Sequence, residues 1–98
     1  MLILLSLACT TPSAPLDPLA EQGRTVYQAN CTACHNSDPN KVGTVGPAVA
    51  GSSRALLEAR IVRGEYPPGY TPKRETHAMA AMPHLAGDVD ALTAYLAK

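Results

Sequence analysis

Apolar residues recur at helical spacing in three separate stretches. Leu19, Gly23, Val26, Tyr27 and Cys31 fall on one face of a 3.6-residue repeat. Asp17-Pro18 supplies a start signal, with a carboxylate to cap the first amides and a proline for the first turn. A first helix is therefore predicted, ending at Asn30–Cys31. Leu56, Leu57, Ile61 and Val62 mark a second helix, capped by Ser52 or Ser53 and stopped at Gly64. Arg63 suits the end of that helix. Val89, Leu92, Tyr95 and Leu96 mark a third, opened by Asp88 with Asp90 in its first turn. No strand pattern competes. Residues 36–51 hold three Gly and two Pro and read as loop. Residues 65–86 hold Pro67-Pro68-Gly69, Pro72 and Met79-Ala80-Ala81-Met82-Pro83, a second irregular segment with room for one short helical turn. The fold class is all-α, with about three main helices and two long loops.

Composition sharpens that picture. The chain has 98 residues, no Trp, no Phe and four Tyr. A domain this small needs help from a disulfide, metal or cofactor. Loops longer than about 12 residues in a compact domain are usually functional. Both loops are placed to wrap a flat hydrophobic object. Formal net charge is zero, which argues against nucleic acid as a partner.

The N-terminal residues stand apart. Residues 1–8 form a short apolar run ending in small residues, too short for a bilayer span of about 20 residues. They read as an export signal. Residues 9–18 read as a tether rich in Pro, Ser and Thr, and residues 19–98 as the folded domain. Leu5-Ser6-Leu7-Ala8-Cys9 resembles a bacterial lipoprotein signal, which implies lipidation of Cys9 and a membrane anchor. The sequence departs from that pattern in two respects: no Lys or Arg precedes the apolar run, and Ser6 stands where an aliphatic residue is usual. Export places the chain in the periplasm or otherwise outside the cytoplasmic membrane, where uncommitted cysteines pair.

The chemistry centres on Asn30-Cys31-Thr32-Ala33-Cys34-His35. Zinc wants about four ligands; here three are offered, and the adjacent Cys34 and His35 diverge by about 100° on a helix. A dithiol–disulfide motif belongs in a strand–helix setting, which this chain lacks. Haem attachment accounts for the spacing. Two thiols joined by a short turn reach the two vinyl groups of one porphyrin edge, and the following imidazole reaches iron. Cys31 and Cys34 are then cofactor-binding and His35 is a metal ligand.

With those residues in view, the region from Gly23 to Lys98 resembles the small class I, mono-haem cytochromes c of bacteria. Gly23 to His35 is similar to that family's first helix and haem turn. Gly46-Pro47-Ala48-Val49-Ala50-Gly51 resembles its loop beside the histidine, and Ile61-Val62-Arg63-Gly64 the end of its middle helix. Ala81-Met82-Pro83-His84-Leu85 and Ala91 to Leu96 resemble its methionine loop and closing helix. The resemblance implies one covalent haem c, a carbonyl of Pro47 accepting from His35, and a methionine thioether as second iron ligand. Met82, before Pro83, matches the motif. Met79 is the alternative thioether, and His77 or His84 would give bis-histidine ligation.

Gly23 and Tyr27 are expected to meet Leu92 and Tyr95 where the first and last helices cross. Arg60, Arg63, Lys73 and Arg74 read most simply as solvated, with a haem propionate or a partner as the other reading. The implied function is single-electron transfer between redox partner proteins, by a monomer with no catalytic residues and no small-molecule substrate. Two alternatives stay open: a haem subunit of a larger dehydrogenase or oxidase, and a gas sensor or peroxidase-like enzyme with a labile distal ligand.

Overall fold

A computed structural model describes residues 17–74 and 78–97. Residues 1–16, with the expected export signal, Cys9 and most of the expected tether, and His77 lie outside the described residues. Helix α1 spans Pro18–Asn30, and the Asp17 carboxylate accepts from the Ala20 amide at 2.8 Å. Such a cap contributes about 1 kcal/mol. The buried stripe of α1 is Ala20, Gly23 and Tyr27. Leu19, expected to face inward, is 45% exposed; the stripe begins one residue later, on a smaller side chain.

Helix α2 begins at Arg54–Leu57 and continues through Glu58–Arg63 in wider, π-helical turns. Of the two serines, Ser53 is the cap: its hydroxyl accepts from the Leu56 amide at 3.1 Å, while Ser52 donates to the Val49 carbonyl at 2.6 Å. The helix stops at Gly64, which is left-handed at φ 66°. The amide of Glu65 turns back to the Ala59 carbonyl at 2.9 Å, a common way to close a helix end. The Ile61 carbonyl accepts from further along the chain, from the amide of Met82 at 2.5 Å.

Helix α3 is Val89–Leu96, entered through a 3₁₀ helix at Pro83–Asp88. Asp88 opens α3 as expected, at its N-cap position, though its side chain makes no capping bond. A helix entered from helical turns has carbonyls ahead of it for its first amides. The Asp88 carboxylate instead accepts from Gln22 at 3.2 Å, and Asp90 pairs with Arg54 at 2.6 Å. Among the described residues there is no strand, and the all-α reading holds. No helix among them is long and apolar enough to cross a membrane.

The core lies where α1 crosses α3. Tyr27, Val89 and Leu92 are its largest fully buried side chains, and the rings of Tyr27 and Tyr95 meet at 5.6 Å, tilted by 50°. Leu57 and Ile61 from α2, with Leu85 and Leu96, extend the same cluster. Tyr27 also donates its hydroxyl to the Asn36 carbonyl at 2.5 Å, and burial pushes its phenol up to about 12. Tyr27 thereby ties the helix crossing to the first loop. The exposed ion pairs, Glu21–Arg24 and Glu58–Arg63, are screened by solvent and add little.

Gly23 sets the distance of the crossing. A Cβ at that position would fall 2.6 Å from the carbonyl carbon of Ala91 and 2.8 Å from Cβ of Tyr95. Gly23→Ala is therefore expected to destabilise the protein by about 2–3 kcal/mol, read as a lower denaturant midpoint for the holoprotein.

Candidate functional site

The segment Cys31–His35 follows directly from α1. Cys31 closes that helix, its amide bonded to the Tyr27 carbonyl at 2.9 Å. Its own carbonyl accepts from Cys34 at 3.3 Å and from His35 at 2.9 Å. One tight turn thus presents two thiols and an imidazole. Both thiols are free, Cys34 exposed and Cys31 half-buried. Burial pushes the Cys31 thiol up to about 11.

The loop of residues 36–51 folds back over this turn. The carboxamide of Asn36 accepts from the amide of Asp38 at 2.9 Å, and the carboxylate of Asp38 from that of Asn40 at 3.0 Å. These local bonds curl the chain. The amides of Val45 and Gly46 then reach the Cys34 carbonyl at 3.1 and 2.9 Å. At the far end, the amide of Gly51 bonds to the Leu96 carbonyl at 2.7 Å, which fixes the loop to α3. The result is a 2.9 Å contact between Nδ1 of His35 and the carbonyl of Pro47. A carbonyl only accepts, so Nδ1 carries the proton and Nε2 is the bare nitrogen.

Cys31, Cys34, His35 and Met82 line one cavity of about 290 Å³. Its floor is apolar, with Leu57, Ile61, Leu92 and Leu96. Met79 lines it too, and both methionines are half-buried and pack against the core cluster. Of the two, Met82 has its backbone fixed on both sides, through its amide to Ile61 and through its carbonyl to the Leu85 amide at 2.9 Å. His84 is exposed and does not line the cavity. Among the described residues, no three His, Cys, Asp or Glu side chains gather to hold a bare metal ion, which weighs against zinc.

The cytochrome c family model matches residues 20–98. This chain belongs to the cytochrome c family. Its cofactor is haem c, one iron porphyrin bound covalently. A cytochrome c-553-like protein of Synechocystis sp. is 34% identical over 53 residues, covering 50% of this chain. The matched part spans about half, 49%, of that relative's length. The residues present fit the cofactor. Two unpaired thiols, an imidazole with a bare nitrogen and two thioethers border a single apolar cavity.

The two tyrosines of this wall were not foreseen from the sequence, and its three cations were expected most simply as solvated, with a haem propionate or a partner as the other reading. Arg60, Tyr66, Tyr70, Lys73 and Arg74 also line the cavity. Arg60 lies 4.2 Å above the Tyr66 ring, and Tyr66 stacks on Tyr70 at 5.5 Å and 11°. The available signal was Pro67-Pro68-Gly69 between the two tyrosines. Proline followed by glycine marks a type II turn. Here the Tyr70 amide returns to the Pro67 carbonyl at 3.1 Å, with Gly69 at φ 80°.

Gly46 is the point of closest approach. A Cβ there would meet the His35 ring, 2.8 Å from Nε2. Gly46→Ala is expected to push the imidazole off the Pro47 carbonyl and cost about 1–3 kcal/mol of holoprotein stability, measured by a denaturant melt followed at the haem absorption.

Proposed function

We propose that the protein is a single-electron carrier in which Cys31 and Cys34 hold the haem by thioether bonds and His35 and Met82 are the two axial ligands of its iron. The observation that carries this reading is the convergence of all four side chains on one apolar cavity. When bound, the haem supplies a one-electron couple, and a His/Met pair raises its potential.

The chain's own residues do the rest. The bond to Pro47 orients His35 and fixes its tautomer. The hydrogen bond from the Met82 amide to the Ile61 carbonyl and the proline at position 83 fix the backbone that carries the Met82 thioether. Leu57, Ile61, Leu92 and Leu96 keep water from the cavity floor. With both axial positions filled by the protein, no place is left for a substrate. That favours a carrier over an enzyme or gas sensor, and its partners are donor and acceptor proteins.

The working domain is residues 19–98. Residues 1–8 direct export and residues 9–18 tether the domain, with Cys9 lipidated as a membrane anchor. Mass spectrometry of the mature N-terminus tests that part: a lipid mass on Cys9 supports it, and an unmodified thiol there rejects it.

Met82→Ala is expected to lower the reduction potential and to let the ferrous protein bind carbon monoxide, while Met79→Ala leaves both near wild type. Redox titration and carbon monoxide difference spectra measure this. A wild-type spectrum without covalent haem would sink the whole reading, and an unchanged Met82→Ala would remove Met82 from it.

A further inference from the structure

The end of α2 lacks a hydrogen bond that a regular helix would make there. In an α-helix the Ile61 carbonyl accepts from the amide four residues on, that of Glu65. Here the amides of Gly64 and Glu65 both turn to the Ala59 carbonyl, Glu65 at 2.9 Å. Two features shift them. The helix is π-wound over Glu58–Arg63, which moves each donor one carbonyl back. Gly64 is left-handed at φ 66°, which turns the next amide inward over the helix end. Ile61 is buried, so a carbonyl passed over by the helix needs another donor. The Met82 amide supplies it at 2.5 Å.

The same glycine stands against the segment that carries Met82. A Cβ at Gly64 would lie 3.3 Å from the Cβ of Ala81, tighter than ordinary van der Waals contact. One of the two would have to give. Gly64 is held by its own carbonyl, which accepts from Arg60 at 3.1 Å. Ala81 is exposed and has room to yield, and it is joined directly to Met82. Glycine thus meets two demands at one position. It makes the left-handed turn that leaves the Ile61 carbonyl open, and it leaves room for the chain that takes that carbonyl.

We infer that Gly64 is a positioning residue for the distal iron ligand: its turn presents the Ile61 carbonyl and its missing side chain admits Ala81, so that Met82 is held in the cavity wall. The inference rests on the reading of Met82 as that ligand. The strength of the iron–thioether bond then depends on a residue that does not line the cavity. The competing role is a helix stop that matters for stability alone.

The test uses the covalent holoprotein and its variants. Ferric iron with a thioether ligand has a weak red absorption band, which reports that bond directly. Gly64→Ala resists the left-handed turn and adds the Cβ. Gly64→Asn accepts the turn more readily and adds the same Cβ. Ala81→Gly, alone or joined to Gly64→Asn, opens the space again. Gly64→Ala is expected to lose most of the red band, to lower the reduction potential and to let the ferrous protein bind carbon monoxide. Gly64→Asn should lose less, and adding Ala81→Gly to it should bring the band and the potential back to those of Ala81→Gly alone. A denaturant melt of each variant reads stability separately. Lower midpoints with the band and the potential at wild-type values in both Gly64 variants would overturn the inference. So would a Gly64→Asn defect that Ala81→Gly leaves unrestored. Should Gly64→Ala fail to fold, Gly64→Asn and its double variant carry the test. A wild type without the red band, or a Met82→Ala variant that keeps it, defeats the ligand reading itself and the inference with it.

Discussion

The close crossing of α1 and α3 is the constraint on which the rest depends. With no phenylalanine or tryptophan to fill a larger centre, the two helices meet backbone to backbone where Gly23 faces Ala91, and Tyr27, Val89 and Leu92 are sealed in the contact. That contact fixes the end of α1, where Cys31 begins the thiol–imidazole turn. It also fixes the end of α3, where the Leu96 carbonyl receives the first loop. The two sides of the cavity are thus set by one helix pair, and the loops need only reach across from known points.

Main-chain bonds carry much of that reach. The loop of residues 36–51 is closed on itself through the carbonyl of Pro39 and attached through those of Cys34 and Leu96, and the methionine loop through the carbonyl of Ile61. Hydrogen bonds of this kind add only about 1 kcal/mol each. Their value here is in direction: the first loop brings the Pro47 carbonyl to His35, and the second carries Met82. The apolar cluster supplies most of the stability, and the loop bonds supply most of the geometry.

The three helices were legible because each has a clear period and each has a stop or start residue with a physical role. Ser53 and Gly64 act as their types suggest. Asp88 opens α3 but makes no side-chain cap, because the preceding Pro83–Asp88 turns already are helical, and nothing in the composition of that stretch announces 3₁₀ geometry. Leu19 misled because apolar character alone does not say which of two neighbours faces in. At the site, the local motif was readable and its five-residue turn formed as expected. The wall made by Arg60, Tyr66 and Tyr70 was not. It depends on a turn bringing two tyrosines into register and on an arginine arriving from another element. Charge counting cannot see that, since an arginine in a solvated face and one in a cavity wall are the same letter.

The bond between Ile61 and Met82 has one further consequence. It makes the intervening chain begin and end at nearly the same point, so that residues 62–81 form a closed insertion on a fixed base. The cost of closing such a loop grows slowly with its length, by about 0.6 kcal/mol for each doubling. Lengthening or shortening it leaves its two feet where they are. The exposed turn at Pro68–Gly69 is therefore free to change without moving that base, while Tyr66, Tyr70 and Met79 of the same segment stay bound to their places in the cavity wall.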